Sequence, residues 1–481
     1  MTSPPDLARL SSRLVESDTA ARRLLVMDKD GFKKNKLSET ERLFCAAAGF
    51  KGKAGQILML PTPDGKPGLV LAGVGSAKPD LWDWSAIAAK LPGGVYRLDI
   101  PAFHPTHAAL GWALGGYCFE RYREKSNDVL VRLVWPDAAD RASVTATLTA
   151  ITLVRDLVNT PTSDMGPQEL AVAADQLATK YKARIRHAVG DDLIKQNYPL
   201  IHAVGRAATD GRSEDPRAPR LIDVMWGDEK APKITLVGKG VCFDTGGLDL
   251  KPASNMKLMK KDMGGAAHAL ALAGMIMEAK LPVRLRVLVP AVENSVSGNA
   301  FRPMDIVPSR AGLSVEIGNT DAEGRLILAD ALAEAVTEKP DLLIDFATLT
   351  GAARVALGPD LPALFSNNDA FVTELLHHSQ EEMDPLWRMP LWEGYTKMLE
   401  SKIADVNSAP DNGFAGAITA ALFLQKFVKP EVPWAHIDLF AWNASDKPGR
   451  PQGGEAFTIR AIFSLLRARY GSNNQSTRSA S

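Results

Sequence analysis

Four carboxylates on three glycine-bearing segments are the residues of this chain best placed to do chemistry. The first segment, Gly238-Lys-Gly-Val-Cys-Phe-Asp-Thr-Gly-Gly247, carries Lys239 and Asp244 and continues through Leu248-Asp-Leu-Lys-Pro252 to Lys251. The second, Lys260-Lys-Asp-Met-Gly-Gly265, carries Asp262. The third, Gly318-Asn-Thr-Asp-Ala-Glu-Gly-Arg325, carries Asp321, Glu323 and Arg325. Clustered carboxylates repel and raise one another's pKa unless cations neutralise them. Two divalent ions balance four such charges, and metals roughly 3.5 to 4 Å apart can bridge an attacking water and polarise a carbonyl. Lys239 is an amine ligand only when deprotonated, far below its reference pKa of about 10.4. Lys251 and Arg325 remain as uncoordinated cations, suited to an oxyanion or a carboxylate-like cofactor. Taken singly, each acid has a plainer account: Asp262 and Asp321 as helix caps, Glu323 as a first-turn complement to the helix dipole. All three loops at matching strand–loop–helix positions favour the metal reading.

The elements around these loops alternate in type. Residues 233–237 and 342–347 read as strands, 283–289 as a strand with period-two alternation at its start, and 264–279 and 326–337 as helices. That order predicts an α/β catalytic domain with a mostly parallel central sheet, whose active site lies beyond the carboxyl ends of the strands. The first half also alternates: strands at 56–60, 68–72 and 129–134, a helix over 106–125, and a long helical pattern ending at the breaker Asn159-Thr-Pro-Thr-Ser163. The expected organisation is a smaller N-terminal α/β domain over 1–150, with an oligomeric or regulatory role, and a larger catalytic domain over 151–470. Residues 471–481, rich in Ser, Asn and Gln, read as a disordered tail.

Bulk properties exclude other classes. A chain of 481 residues with 46% hydrophobic and 23% charged content is neither fibrous nor wholly disordered. Basic and acidic residues balance at 56 each, which argues against a dedicated nucleic-acid or anionic-membrane binder. Cys45, Cys118 and Cys242 are widely spaced and form no disulfide or zinc framework. The N-terminus has no secretory pattern, and the longest nearly apolar stretch, 263–277, is shorter than the roughly 18 to 20 residues a membrane span needs. A cytoplasmic protein is expected. The histidines form no HExxH; His377-His378 read as a solvated helix pair, His436 as a satisfied buried histidine and Cys242 as a small buried thiol.

Asn319-Thr-Asp-Ala-Glu-Gly-Arg-Leu326 resembles the signature of the leucyl aminopeptidase family, the di-metal cytosol aminopeptidases. Val237-Gly-Lys-Gly240, Phe243-Asp-Thr-Gly-Gly247, Lys251-Pro252 and Lys261-Asp-Met263 match that family in order and spacing, as do Asp156-Leu-Val-Asn-Thr-Pro161 and Ala347-Thr-Leu-Thr-Gly351. The resemblance covers about residues 150 to 470. It implies that Lys239, Asp244, Asp262 and Glu323 hold one divalent ion and Asp244, Asp321 and Glu323 a second, exchangeable one, the ions being zinc or manganese or else magnesium. It further implies that Lys251 polarises the scissile carbonyl or stabilises the tetrahedral oxyanion, and that Arg325 holds a bicarbonate acting as general base towards the bridging water. Met259, Thr348 and Gly351 would line a side-chain pocket preferring leucine and other apolar residues. The implied activity is release of N-terminal residues from peptides with a free amine, by a homohexamer. This chain departs from the family at Lys261, at Leu248-Asp249 and at Cys242; Asp249 adds a carboxylate near Lys251. A di-metal phosphoesterase, a catalytically dead scaffold and a DNA-binding oligomer are the rival readings, the last unsupported by the neutral bulk charge.

Overall fold

The computed structural model describes residues 7–62, 67–123, 130–210 and 214–471. They fall into two compact units: one built from the chain up to Thr152 with a short return, Ser445–Gln452, the other from Leu153–Ala444 and the chain from Gly453 onward. The break falls within the helix Arg141–Asn159.

The first unit is a six-stranded sheet in the order Leu14–Val15, Val131–Val134, Gly94–Leu98, Arg22–Met27, Pro67–Gly73, Ile57–Pro61. All neighbours are parallel except the last pair. The helix expected over 106–125 spans only Pro105–Leu114 and stops at Gly115. The packing explains both the place and the residue type. A Cβ on Gly111 would lie 2.0 Å from the Leu81 carbonyl oxygen and one on Gly116 would lie 1.8 Å from Arg13 Nε. Residues 124–129, the start of the expected strand included, lie outside the described residues, as does the expected tail beyond Gly471.

The second unit is built on a nine-stranded sheet. Its centre is parallel: Arg284–Asn294, Lys233–Gly238, Leu342–Ala347 and Trp434–Asp438 run side by side in one direction. Antiparallel neighbours flank this core, Arg220–Trp226 and Arg184–Val189 on one side and Ala363–Ser366 on the other. Central strands covered on both faces read as continuous apolar runs, and Leu342–Ala347 is buried at every position. The helix Gly264–Glu278 is buried on nearly its whole circumference, which is why it carries Ala, Leu and Met and no apolar stripe. The strand expected at 283–289 extends to Asn294, and its far half pairs in parallel with Gly240–Asp244.

That last pairing positions the first loop. The chain leaves the central sheet at Gly238, passes Lys239, and re-enters as Gly240–Asp244, so Lys239 sits at a break in a strand and Asp244 at a strand end. Lys239 N donates to the Phe346 carbonyl at 2.9 Å, and its own carbonyl accepts from Ala266 N at 2.8 Å. A Cβ on Gly265 would lie 2.1 Å from the Phe346 carbonyl oxygen. Glycine there lets the helix start drop onto the sheet edge, carrying Asp262 with it.

Candidate metal centre and substrate recess

The three loops meet beyond the carboxyl ends of the central strands in a cavity of about 580 Å³. Lys239, Asp244, Lys251, Asp262, Asp321, Glu323 and Arg325 all line it, together with Met259, Thr348 and Gly351. Every residue nominated from the sequence is therefore in one place.

Asp244, Asp262 and Glu323 are buried and each offers a carboxylate oxygen within 4.8 Å of the others. Lys239 Nζ lies 2.8 Å from Asp262 Oδ2 and 3.0 Å from Glu323 Oε1, and donates to the Thr348 carbonyl at 3.1 Å. Burial disfavours its ammonium, but Asp262, Glu323 and Asp244 outweigh that and hold its pKa above the ordinary lysine value. One ammonium cannot neutralise three acids. Glu323, penalised first by burial and then by Asp244, is pushed up to about 8. Lys251 Nζ lies 2.8 Å from Asp244 Oδ2 and also contacts Asp321 Oδ1. Asp321 is the most open of the four acids, and burial followed by Asp244 raises its pKa too.

These residues fit divalent ions. Glu323 Oε2 is buried and accepts no hydrogen bond, and Asp262 Oδ2 accepts no well-aligned one. Oxygen-rich donors with one amine suit zinc, manganese or magnesium. Cations brought to these mutually repelling, buried carboxylates relieve the repulsion that raises the Glu323 carboxyl. A Cβ on Gly324 would sit 2.5 Å from Lys239 Cε, so the glycine after Glu323 clears the path of the lysine across the helix start.

Several supporting residues carried no expectation. Asn294 Nδ2 donates to Asp244 Oδ1 at 2.9 Å and to the Thr320 carbonyl at 3.0 Å, tying the first loop to the third. Its only sequence signal is a polar residue closing a long apolar strand. Asp249 accepts from Thr320 N at 2.7 Å, a second tie between the first loop and the third. Asp438 Oδ1 accepts from Leu349 N at 3.0 Å and Thr350 N at 3.2 Å, and its Oδ2 accepts from Thr350 Oγ1 at 2.6 Å. Thr348 Oγ1 in turn donates to Asp262 Oδ1 at 2.7 Å. Arg325 is buried; Nη1 donates to the Ser408 carbonyl at 2.6 Å, while Nε has no partner. His436 is buried with Nδ1 2.5 Å from Asp345 Oδ1, but Nε2 has no partner, so it is only half satisfied. Cys242 is buried, and that burial holds its thiol well above the ordinary value.

Fold and site together define an α/β peptidase with a buried acidic cluster able to hold metal. The family model described as the cytosol aminopeptidase family, catalytic domain, matches residues 152–463, and the M17 aminopeptidase N-terminal domain matches 30–136. The chain belongs to this cytosol aminopeptidase family, whose members are metal-dependent hydrolases that remove N-terminal residues. It is 36% identical over 452 residues to a probable cytosol aminopeptidase of Roseiflexus castenholzii, covering 87% of this chain and 91% of that one. It is 38% identical over 458 residues to one of Sinorhizobium medicae, covering 88% and 90%. The crystal structure of a cytosol aminopeptidase from Coxiella burnetii superposes with a TM-score of 0.90 at 49% identity, covering 95% of this chain and 99% of that one. The bottromycin maturation enzyme BotP in complex with Mn gives a TM-score of 0.83 at 32% identity, covering 94% and 100%. None of the described helices is long and apolar enough to cross a membrane.

Proposed function

We propose that this chain is a two-metal aminopeptidase acting on peptides with a free N-terminal amine. The observation that carries the reading is the buried group Asp244, Asp262 and Glu323, within 4.8 Å of one another and flanked by Lys239 and Lys251. Lys239, Asp244, Asp262 and Glu323 would hold one ion and Asp244, Asp321 and Glu323 the other. Bound there, divalent ions supply Lewis acidity and a water of lowered pKa. Lys251 keeps its proton, because Asp244, Glu323 and Asp321 outweigh its burial, so its ammonium is available to an oxyanion. Its contact with Asp244 and Asp321 holds that ammonium at the cavity wall. Arg325, with a buried and unpartnered Nε, is placed to hold a small anion such as bicarbonate. Asp438 fixes the 348–350 loop, and through it the Thr348 contact with Asp262.

Met259, Thr348 and Gly351 share the cavity with the acidic cluster and would line the recess for the first side chain, and they share it also with Lys261 and Arg354. The homohexamer and the cytoplasmic setting come with the family resemblance. The test is hydrolysis of leucine p-nitroanilide by chelated protein with Mn²⁺, Zn²⁺ or Mg²⁺ restored, beside the N-acetylated substrate. Activity is expected only with metal and only on the free amine. Full activity after exhaustive chelation, or equal activity on the acetylated compound, refutes the proposal.

A further inference from the structure

We propose that Lys261, Arg354 and Phe440 form an anion-selective wall of the substrate recess, so that the enzyme favours peptides beginning with aspartate or glutamate. The inference rests on the aminopeptidase reading above and names its substrate class. Lys261 is only 4% exposed, yet its Nζ makes no hydrogen bond or ion pair among the described residues; it lies 4.8 Å from the centroid of the Phe440 ring. The Arg354 guanidinium lies 4.9 Å from the same centroid, also with no carboxylate partner among the described residues. One ring thus gathers two cations that repel each other. A ring quadrupole steadies a cation only modestly and does not supply a counter-charge.

The other charges of the cavity are already engaged. Lys239 and Lys251 face the acidic cluster, and the Arg325 guanidinium donates to the Ser408 carbonyl. Asp262 and Asp438 act on Lys261 through charge without forming an ion pair with it, and Asp438 is held by Leu349 N, Thr350 N and Thr350 Oγ1. Besides Arg325, assigned above to a small anion, the cations of the cavity with no carboxylate in ion-pair contact are Lys261 and Arg354, and both line it. Their position suits the first residue of a peptide. Lys261 precedes Asp262 of the acidic cluster, and Arg354 Nη2 lies 3.9 Å from where a Gly351 Cβ would stand. An apolar side chain entering here would leave a buried ammonium without a partner, whereas a carboxylate gives it a charge-assisted hydrogen bond.

A carboxylate can reach this wall from two sources: the side chain of the first residue, or the α-carboxylate of a dipeptide. Anilide substrates separate them because they have no terminal carboxylate. The experiment compares kcat/KM of the full-length, metal-loaded enzyme on glutamyl, aspartyl, leucyl and alanyl p-nitroanilides, for the parent, Lys261→Met and Arg354→Met. Arg354 is exposed and remote from the acidic cluster in sequence, so its variant keeps the test decisive if Lys261→Met does not fold. Acidic anilides should be preferred over leucyl by about tenfold or more. Each variant should lower the acidic substrates by about 10- to 100-fold, the range set by one charged hydrogen bond, with leucyl changed less than about threefold. Preference for leucyl in the parent, or variants that move all substrates together, overturns the inference while leaving the aminopeptidase reading intact. An acidic preference that survives both variants overturns the assignment to these residues. No hydrolysis of any anilide with any metal overturns both.

Discussion

Replacing Glu323 with glutamine should stabilise the metal-free protein and weaken the metal-loaded one, an inversion that a merely structural residue does not produce. Glu323 is fully buried beside Asp244 and Asp262, and its carboxyl is pushed up to about 8 against an ordinary value of 4.5. A carboxyl whose pKa rises on folding binds its proton more tightly in the fold than in the unfolded chain. Stability therefore falls as pH rises from about 4.5 to about 8, is unaffected below that window, and has lost its full share above it. At 1.36 kcal/mol per pH unit, the loss at pH 7 is roughly 3 kcal/mol. Glutamine keeps the shape without the charge, and Lys239 retains Asp262 at 2.8 Å. In EDTA at pH 8 the thermal midpoint of Glu323→Gln should exceed the parent's by a few degrees, converted at about 2.1 cal/mol/K per residue for a unit of this size. At pH 4.5 the two should coincide. With Mn²⁺ or Zn²⁺ the order should reverse, because a ligand present only in the fold stabilises by mass action and the variant binds it poorly. Scanning calorimetry of both proteins in both states reads all four values. A variant less stable than the parent in EDTA at pH 8, or a difference that ignores pH, refutes the electrostatic account.

Two further predictions concern the same centre. If Lys239 becomes an amine ligand, it must give up the proton its three acidic neighbours now hold on it. Calorimetric metal titrations in buffers of different ionisation enthalpy should therefore show at least one proton released per tight-site ion at pH 7. Gly324→Ala would put a methyl 2.5 Å from Lys239 Cε. It should abolish tight binding measured by equilibrium dialysis and cost about 1 to 3 kcal/mol of stability in urea, the usual toll of overpacking.

The catalytic half was far more legible than the rest, for a physical reason. Charged residues on glycine-rich loops between apolar strands have few structural explanations, so Lys239, Asp244, Asp262, Asp321 and Glu323 stood out together and the fold brings them together. Asn294 and Asp438 did not stand out. Each acts through single hydrogen bonds to loops distant in sequence, and no local pattern encodes such a partner. Lys261 is marked in the sequence only as a departure from the family within Lys260-Lys-Asp262, because its burial against Phe440 comes from a segment distant in the chain. The over-long helix at 106–125 failed on packing: apolar periodicity continued, but Gly115 and Gly116 serve close approach, which sequence alone does not distinguish from flexibility.

The return of Ser445–Gln452 to the first compact unit bears on how this gene can be cut and rearranged. Gly449 and Arg450 lie against Ser85 and Trp82, the Arg450 guanidinium 4.7 Å from the Trp82 ring. Neither unit is thus a single stretch of gene. A fragment ended at residue 152 lacks part of its own packing, and one begun at 153 carries a loop made for a surface it has lost. Exchange of the N-terminal unit between relatives must move two segments at once, so recombination at one crossover should be poorly tolerated and the two halves should diverge as a linked pair.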